Sequence, residues 1–195
     1  TKVNLNLFET EQKNLTTISV FGGSQGAKIF GEIVPLTIKK LIDEGYEIKI
    51  NQQCFKEQKN QIINYYKENK INSNVFEFSK NISEIMLSTD LAISRCGAST
   101  TAELVYTNTP FIAVPLPTSI DNHQYINAKF YESRGCCWLL EQKDFNTKNL
   151  FNLIKQAVED KKKIQNICAN MKKNNFINAY DNIEKKITEF IKNDN

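Results

Sequence analysis

Hydrophobic and polar positions follow two different periods along this chain, and the switches between them outline its elements. Leu15-Thr-Thr-Ile-Ser-Val-Phe21 is rich in β-branched and aromatic residues and stops at Gly22-Gly23, as a buried strand would. Between about Ala27 and Glu44, residues Ile29, Ile33, Leu36, Ile38, Leu41 and Ile42 recur at helical spacing, and Gly45 stands where a C-terminal cap belongs. Tyr46 to Ile50 alternates as a second strand, and a helix over 55–69 turns Ile62, Ile63 and Tyr66 inward. The same logic predicts strands at 74–78, 90–94, 110–115 and 136–140, with helices at 82–87, 99–106 and 122–133. From Asn146 the pattern is helical nearly to the end.

This strand–helix alternation predicts an α/β fold: a parallel sheet with helices on both faces and a helical C-terminal tail. Residues 1–14 are polar and patternless, like a linker, which leaves 15–195 as one domain. A length of 195 residues suffices for one substantial core. The net charge of +3 is too small to call for a nucleic-acid partner. Five cysteines, an odd number without a C-x-x-C pair, argue against a disulfide framework and against zinc, so the thiols are expected reduced. With no long apolar run and no signal peptide, a cytoplasmic protein with at most peripheral membrane contact is expected.

In parallel α/β sheets, ligands bind beyond the carboxyl ends of the strands, so the loops there matter most. The first is Gly22-Gly-Ser-Gln-Gly-Ala27. Its glycines let backbone N–H groups approach an anion at a helix start, and Ser24 adds a hydroxyl donor. A tight turn without a ligand would use similar residues. The loop lacks both the Walker Gly-Lys-Ser/Thr and the full dinucleotide fingerprint. The second loop, Ser94-Arg-Cys-Gly-Ala-Ser-Thr-Thr-Ala-Glu103, places Ala98, Ser99 and Thr100 at the mouth of the next helix. Glu103 reads either as a carboxylate favoured by the helix's first turn or as an acceptor for a ribose diol. The third loop, Pro115 to Tyr125, carries the only histidine, His123. Asp121 or Asn122 suits a helix N-cap, while His123 and Gln124 suit hydrogen bonds to sugar hydroxyls. One histidine with no histidine partner discourages a metal site.

The three loops also occur together in a known order and spacing. Gly22-Gly-Ser-Gln-Gly-Ala27, Ser94-Arg-x-Gly-Ala-Ser-Thr-x-x-Glu103 and Pro115-x-Pro-x-x-x-Asp-Asn-His-Gln-x-x-Asn-Ala128 resemble the C-terminal domain of the MurG family of N-acetylglucosamine transferases. The resemblance covers 15–140 well and the trailing helices loosely. It implies a Rossmann-like domain, one half of a GT-B fold, that holds UDP-N-acetylglucosamine for transfer to lipid I in peptidoglycan synthesis. It implies contact of Ser24 with the α-phosphate, a cradle of Ala98, Ser99 and Thr100 backbone for the phosphates, and Glu103 on the ribose. Uracil would lie near Phe78 and Ser79, and Gln124 with His123 would face the sugar. Gln25, Gly26, Arg95 and Asn127 join this set as members of the matched motifs.

The family uses UDP-N-acetylglucosamine as substrate, with no cofactor and no metal expected. Lipid I and the general base belong to its N-terminal domain, which this sequence does not contain. The full enzyme would work at the inner face of the bacterial membrane. Ser79 departs from the apolar residue often found beside uracil, and some members carry glutamine where His123 stands. Two other functions fit the residues: a stand-alone donor subunit of a split glycosyltransferase, or a non-catalytic nucleotide-sugar-binding module.

Overall fold

The computed structural model describes residues 15–23 and 27–174. Six strands run in chain order as β1 (Leu15–Phe21), β2 (Glu47–Gln53), β3 (Asn72–Phe76), β4 (Leu91–Ser94), β5 (Phe111–Ala113) and β6 (Cys137–Leu139). Between and after them come α1 (Lys28–Asp43), α2 (Lys56–Glu68), α3 (Ile82–Leu87), α4 (Ala98–Tyr106), α5 (His123–Glu132), α6 (Thr147–Glu159) and α7 (Lys161–Lys173). Short 3-10 turns precede α5 at Ile120–Asn122 and α6 at Gln142–Asp144.

The strands form one sheet in the order β3-β2-β1-β4-β5-β6, and every pairing is parallel. The chain therefore builds outward from β1 in one direction, then returns to build outward on its other side. The reversal falls between β1 and β4, where consecutive loops diverge and leave a crevice. α1 packs with α2 and α6, whereas α4 packs with α5 and α7. Ile18, Val20, Ile50, Ile93, Phe111 and Ile112 are buried in the sheet, and Phe30, Val34, Ile38 and Leu41 close α1 onto the same core.

Within the described residues every predicted element is present, with three instructive shifts. β2 extends through Asn51, Gln52 and Gln53, which an apolar alternation does not count. These polar side chains are tolerated because they are paired. Asn51 Nδ2 donates to Ser19 Oγ (3.1 Å), and Ser19 Oγ meets Thr89 Oγ1 at 2.6 Å. Gln52 Nε2 donates to Phe30 O (3.3 Å), while its Oε1 accepts from the buried Tyr66 hydroxyl. β3 begins and ends two residues earlier than predicted, because Asn72–Phe76 are the residues in register with Lys49–Gln53. The C-terminal run breaks at Asp160, whose Oδ1 accepts Lys163 N–H (2.9 Å) and starts α7. The proposed linker, 1–14, and the end of the tail, 175–195, lie outside the described residues.

Burial pushes the Tyr66 hydroxyl well above its ordinary pKa, so it stays a neutral donor to Gln52. Tyr66→Phe leaves the Gln52 carbonyl unsatisfied and is expected to cost about 1–2 kcal/mol in urea unfolding. A cost near zero would mean that this pair does not help hold α2 to β2.

Candidate functional site

The β1 and β4 carboxyl ends leave the sheet side by side, since Phe21 stands in register with Ser94 and Arg95 N–H donates to Phe21 O (3.0 Å). From β1 the chain enters Gly22-Gly23, with Gly23 at φ +78°, a left-handed conformation that costs glycine little. Ser24, Gln25 and Gly26, expected at the phosphate, lie outside the described residues. From β4 the chain passes Cys96 and Gly97 into α4. Helical geometry leaves the N–H groups of Ala98, Ser99 and Thr100 without acceptors in their own helix, and no side chain caps them. Ala98 and Ser99 are exposed and Thr100 half-buried, so the start of α4 is not covered by other elements.

Glu103 is exposed and is the sixth residue of α4, which begins at Ala98. The expectation that it sits in the first turn is therefore corrected: a turn takes about 3.6 residues, and Glu103 falls in the second turn of α4. Its carboxylate lies beyond the reach of the helix-end dipole, which fades within one turn. A helix-stabilising charge no longer explains its presence.

The start of α5 also differs from expectation. Asn122 stands at the N-cap position of α5 but its side chain makes no capping hydrogen bond, and Asp121 and Asn122 both adopt left-handed backbone, at φ 48° and 55°. Ser119 Oγ instead accepts Gln124 N–H (3.3 Å). His123 is exposed, and its Nδ1 lies 2.8 Å from Ile120 O. A carbonyl only accepts, so Nδ1 carries the proton and Nε2 is the ring nitrogen left for solvent or ligand.

Two amides on α5 grip the loop after β4. Gln124 Oε1 accepts Cys96 N–H (3.1 Å) and Leu116 N–H (3.0 Å), and Asn127 Nδ2 donates to Cys96 O (3.0 Å). The backbone of Cys96 is thus held on both its polar groups, which fixes where Gly97 and α4 begin. Gln124 keeps its Nε2 donors, and Asn127 its Oδ1 acceptor, for other partners. Burial raises the Cys96 thiol to about 12, so it stays protonated and unreactive.

Arg95 is turned inward. Its Nη1 donates to Val114 O (3.1 Å) and Pro115 O (3.2 Å), and its Nη2 to Gln142 Oε1 (2.6 Å). The guanidinium also lies 4.9 Å from the centre of the Phe30 ring. The side chain expected at the ligand is instead a brace joining the ends of β4 and β5 to the turn before α6. Beside this brace opens a cleft of about 270 Å³ lined by Pro115–Pro117, Asn122, Tyr125 and Glu141–Lys143.

Phe78 lies two residues past β3 and is 78% exposed, and Ser79 Oγ accepts Asn81 N–H (3.1 Å). Both belong to a loop one strand beyond β2, so they can flank a ligand that extends from the crevice toward β3. Sequence reasoning overlooked Gln53, Ser119 and Gln142, whose side chains organise these loops. Their one signal was polarity at a strand end or within a loop, which marks many residues that do nothing. Among the described residues no cluster of histidine, cysteine, aspartate and glutamate is arranged to hold a metal ion, and no helix is long and apolar enough to cross a membrane.

An all-parallel sheet that reverses between β1 and β4, with the uncapped start of α4 beside the reversal, defines a Rossmann-like domain. The chain belongs to the glycosyltransferase family 28 C-terminal domain, whose model matches residues 17–187. It is 41% identical over 181 residues to the UDP-N-acetylglucosamine–N-acetylmuramyl-(pentapeptide) pyrophosphoryl-undecaprenol N-acetylglucosamine transferase of Pelagibacter ubique, covering 92% of this chain and 51% of that protein. To the Rickettsia bellii protein of the same name it is 40% identical, covering 80% of this chain and 44% of the relative. The chain thus spans about half the length of the curated relatives it matches. The crystal structure of Acinetobacter baumannii MurG superposes with a TM-score of 0.74 at 26% identity, over 84% of this chain and 49% of that one. The fold is the Rossmann-like half of a GT-B glycosyltransferase.

Arg95→Ala removes three donated hydrogen bonds and is expected to cost about 2–4 kcal/mol in urea unfolding. A loss below about 1 kcal/mol, the range of exposed groups, would show that Arg95 is not the brace described.

Proposed function

We propose that this chain is the donor-binding half of an inverting transferase that moves N-acetylglucosamine from UDP to a lipid-linked N-acetylmuramyl-pentapeptide. The observation that carries the reading is the uncapped start of α4, opening beside the glycine turn after β1 at the sheet reversal. That pairing is suited to a diphosphate, because N–H groups from two directions meet one anion. The names of the relatives supply the substrate, and the matched loops supply its orientation.

In this reading Ser24, Gln25 and Gly26 meet the α-phosphate from the β1 side, and the N–H groups of Ala98, Ser99 and Thr100 meet the diphosphate from α4. Glu103 accepts hydrogen bonds from the ribose diol, and the backbone at Phe78 and Ser79 borders the uracil. The Gln124 Nε2 donors, the Asn127 Oδ1 acceptor and His123 Nε2 face sugar hydroxyls. Arg95 contributes by holding the loops rather than by touching the ligand.

The acceptor hydroxyl attacks the anomeric carbon as its bond to the UDP oxygen breaks, and negative charge grows on the diphosphate. Donors fixed in advance at α4 stabilise that charge without reorganising, and no metal is invoked to do so. The acceptor site and the group that takes its proton are assigned to sequence beyond this chain. We place the whole enzyme at the inner face of the bacterial membrane, where such a lipid acceptor is met. The unaccompanied chain binds donor and turns nothing over.

Glu103→Ala is expected to weaken UDP-N-acetylglucosamine binding by about 1–3 kcal/mol in calorimetry, with Glu103→Gln intermediate. Unchanged affinity in Glu103→Ala would remove the ribose assignment.

A further inference from the structure

Gln53 closes β2 and reaches across the foot of two loops. Its Oε1 accepts Gly22 N–H (3.0 Å), while its Nε2 donates to Gly23 O (3.3 Å) and to Glu77 O (3.1 Å). One acceptor and both donors of the amide are therefore spent on backbone, on both sides of the strand. Glu77 is tethered a second time, by its own carboxylate to Lys59 Nζ at 3.1 Å. The two glycines it holds open the loop that leads to Ser24, and Glu77 immediately precedes Phe78.

We infer that Gln53 is a positioning residue for the nucleotide diphosphate, one that presets the glycine turn and ties it to the loop beside the base. The inference rests on the donor-site reading above. Two adjacent glycines have more backbone freedom than any other pair, and fixing each residue costs about 1–2 kcal/mol. Without an external tether, that ordering cost falls on the ligand at binding. With Gln53 in place it is met in the folded protein, and affinity gains by preorganisation. Two of the three hydrogen bonds go to the glycines, so the phosphate end of the ligand depends on Gln53 more than the base does.

The test titrates the 195-residue chain with UDP and with uridine by calorimetry, and follows backbone amide exchange without ligand. Gln53→Met keeps the bulk and loses the hydrogen bonds. It is expected to speed exchange at Gly22 and to weaken UDP about tenfold but uridine only about two- to threefold. Gln53 is half-buried where Tyr66 and Arg95 are buried, so water replaces its bonds and the melting temperature is expected to stay within about 3 °C of the unaltered protein. Gln53→Glu keeps the acceptor for Gly22 N–H but sets a carboxylate against two carbonyls near the anion. It is expected to leave Gly22 protected and to weaken UDP further than Gln53→Met, with no further loss for uridine.

A purely structural role predicts equal losses for both ligands together with a lower melting temperature, and that result would overturn the inference. So would unchanged exchange at Gly22 in Gln53→Met, or UDP affinity equal to that of the unaltered protein. If the unaltered protein binds no UDP, the donor-site reading fails first and this inference falls with it.

Discussion

Two parallel strands that lie next to each other but are far apart in sequence determine what this domain can do. β1 and β4 end together because the sheet is built outward in both directions from their boundary. The hydrogen bond from Arg95 N–H to Phe21 O carries that pairing one residue beyond β4. Past that point, the two chains must part, one into α1 and the other into α4. Both helices then start from the same edge of the sheet, and the first N–H groups of α4 find no acceptor in their own helix. Everything assigned to the site follows from this juxtaposition. The glycines allow the backbone to come close, and the small residues at the start of α4 leave its donors uncovered.

The loops around that space are held by side chains rather than by further sheet. Gln53 ties the glycine turn to the loop after β3, while Gln124 and Asn127 tie the loop after β4 to α5. Arg95 ties β4 and β5 to the turn before α6. Amides suit this work because each offers donors and an acceptor without charge, so the local field is left for an anion. The one buried cation among them is consumed by carbonyls and an aromatic face, which keeps it from competing for a phosphate. Rigid loops on a rigid sheet hold their donors in place before a ligand arrives.

The sheet was readable in the sequence because its strands are short apolar runs between glycines, prolines and amphipathic helices. Where the reading slipped, polar residues were buried. Asn51, Gln52 and Gln53 extend β2 through partners on β1, α1, α2 and the loops after β1 and β3 that only the folded chain brings near. Glu103 belongs to the second turn of α4 rather than the first, because the helix is already under way by Ala98 and Ser99. Arg95 sits inside a motif that invites a ligand contact, yet its direction depends on carbonyls nineteen and twenty positions away and on an amide at Gln142. At α5, Asn122 holds the N-cap position in a left-handed conformation, and the side chain that accepts a helix N–H is that of Ser119. The loop motifs themselves were legible as a set, because their order matches the strand ends from which they project.

In the proposed donor site, one diphosphate is held between the starts of α1 and α4. Backbone amide chemical shifts of the chain, titrated with UDP, test it most directly. The account predicts saturable shifts concentrated at residues 22–27 and 96–100, with smaller ones at 77–79 and near Glu103. Shifts confined to the cleft between Pro115–Pro117 and Glu141–Lys143, with the two helix starts unmoved, would contradict it.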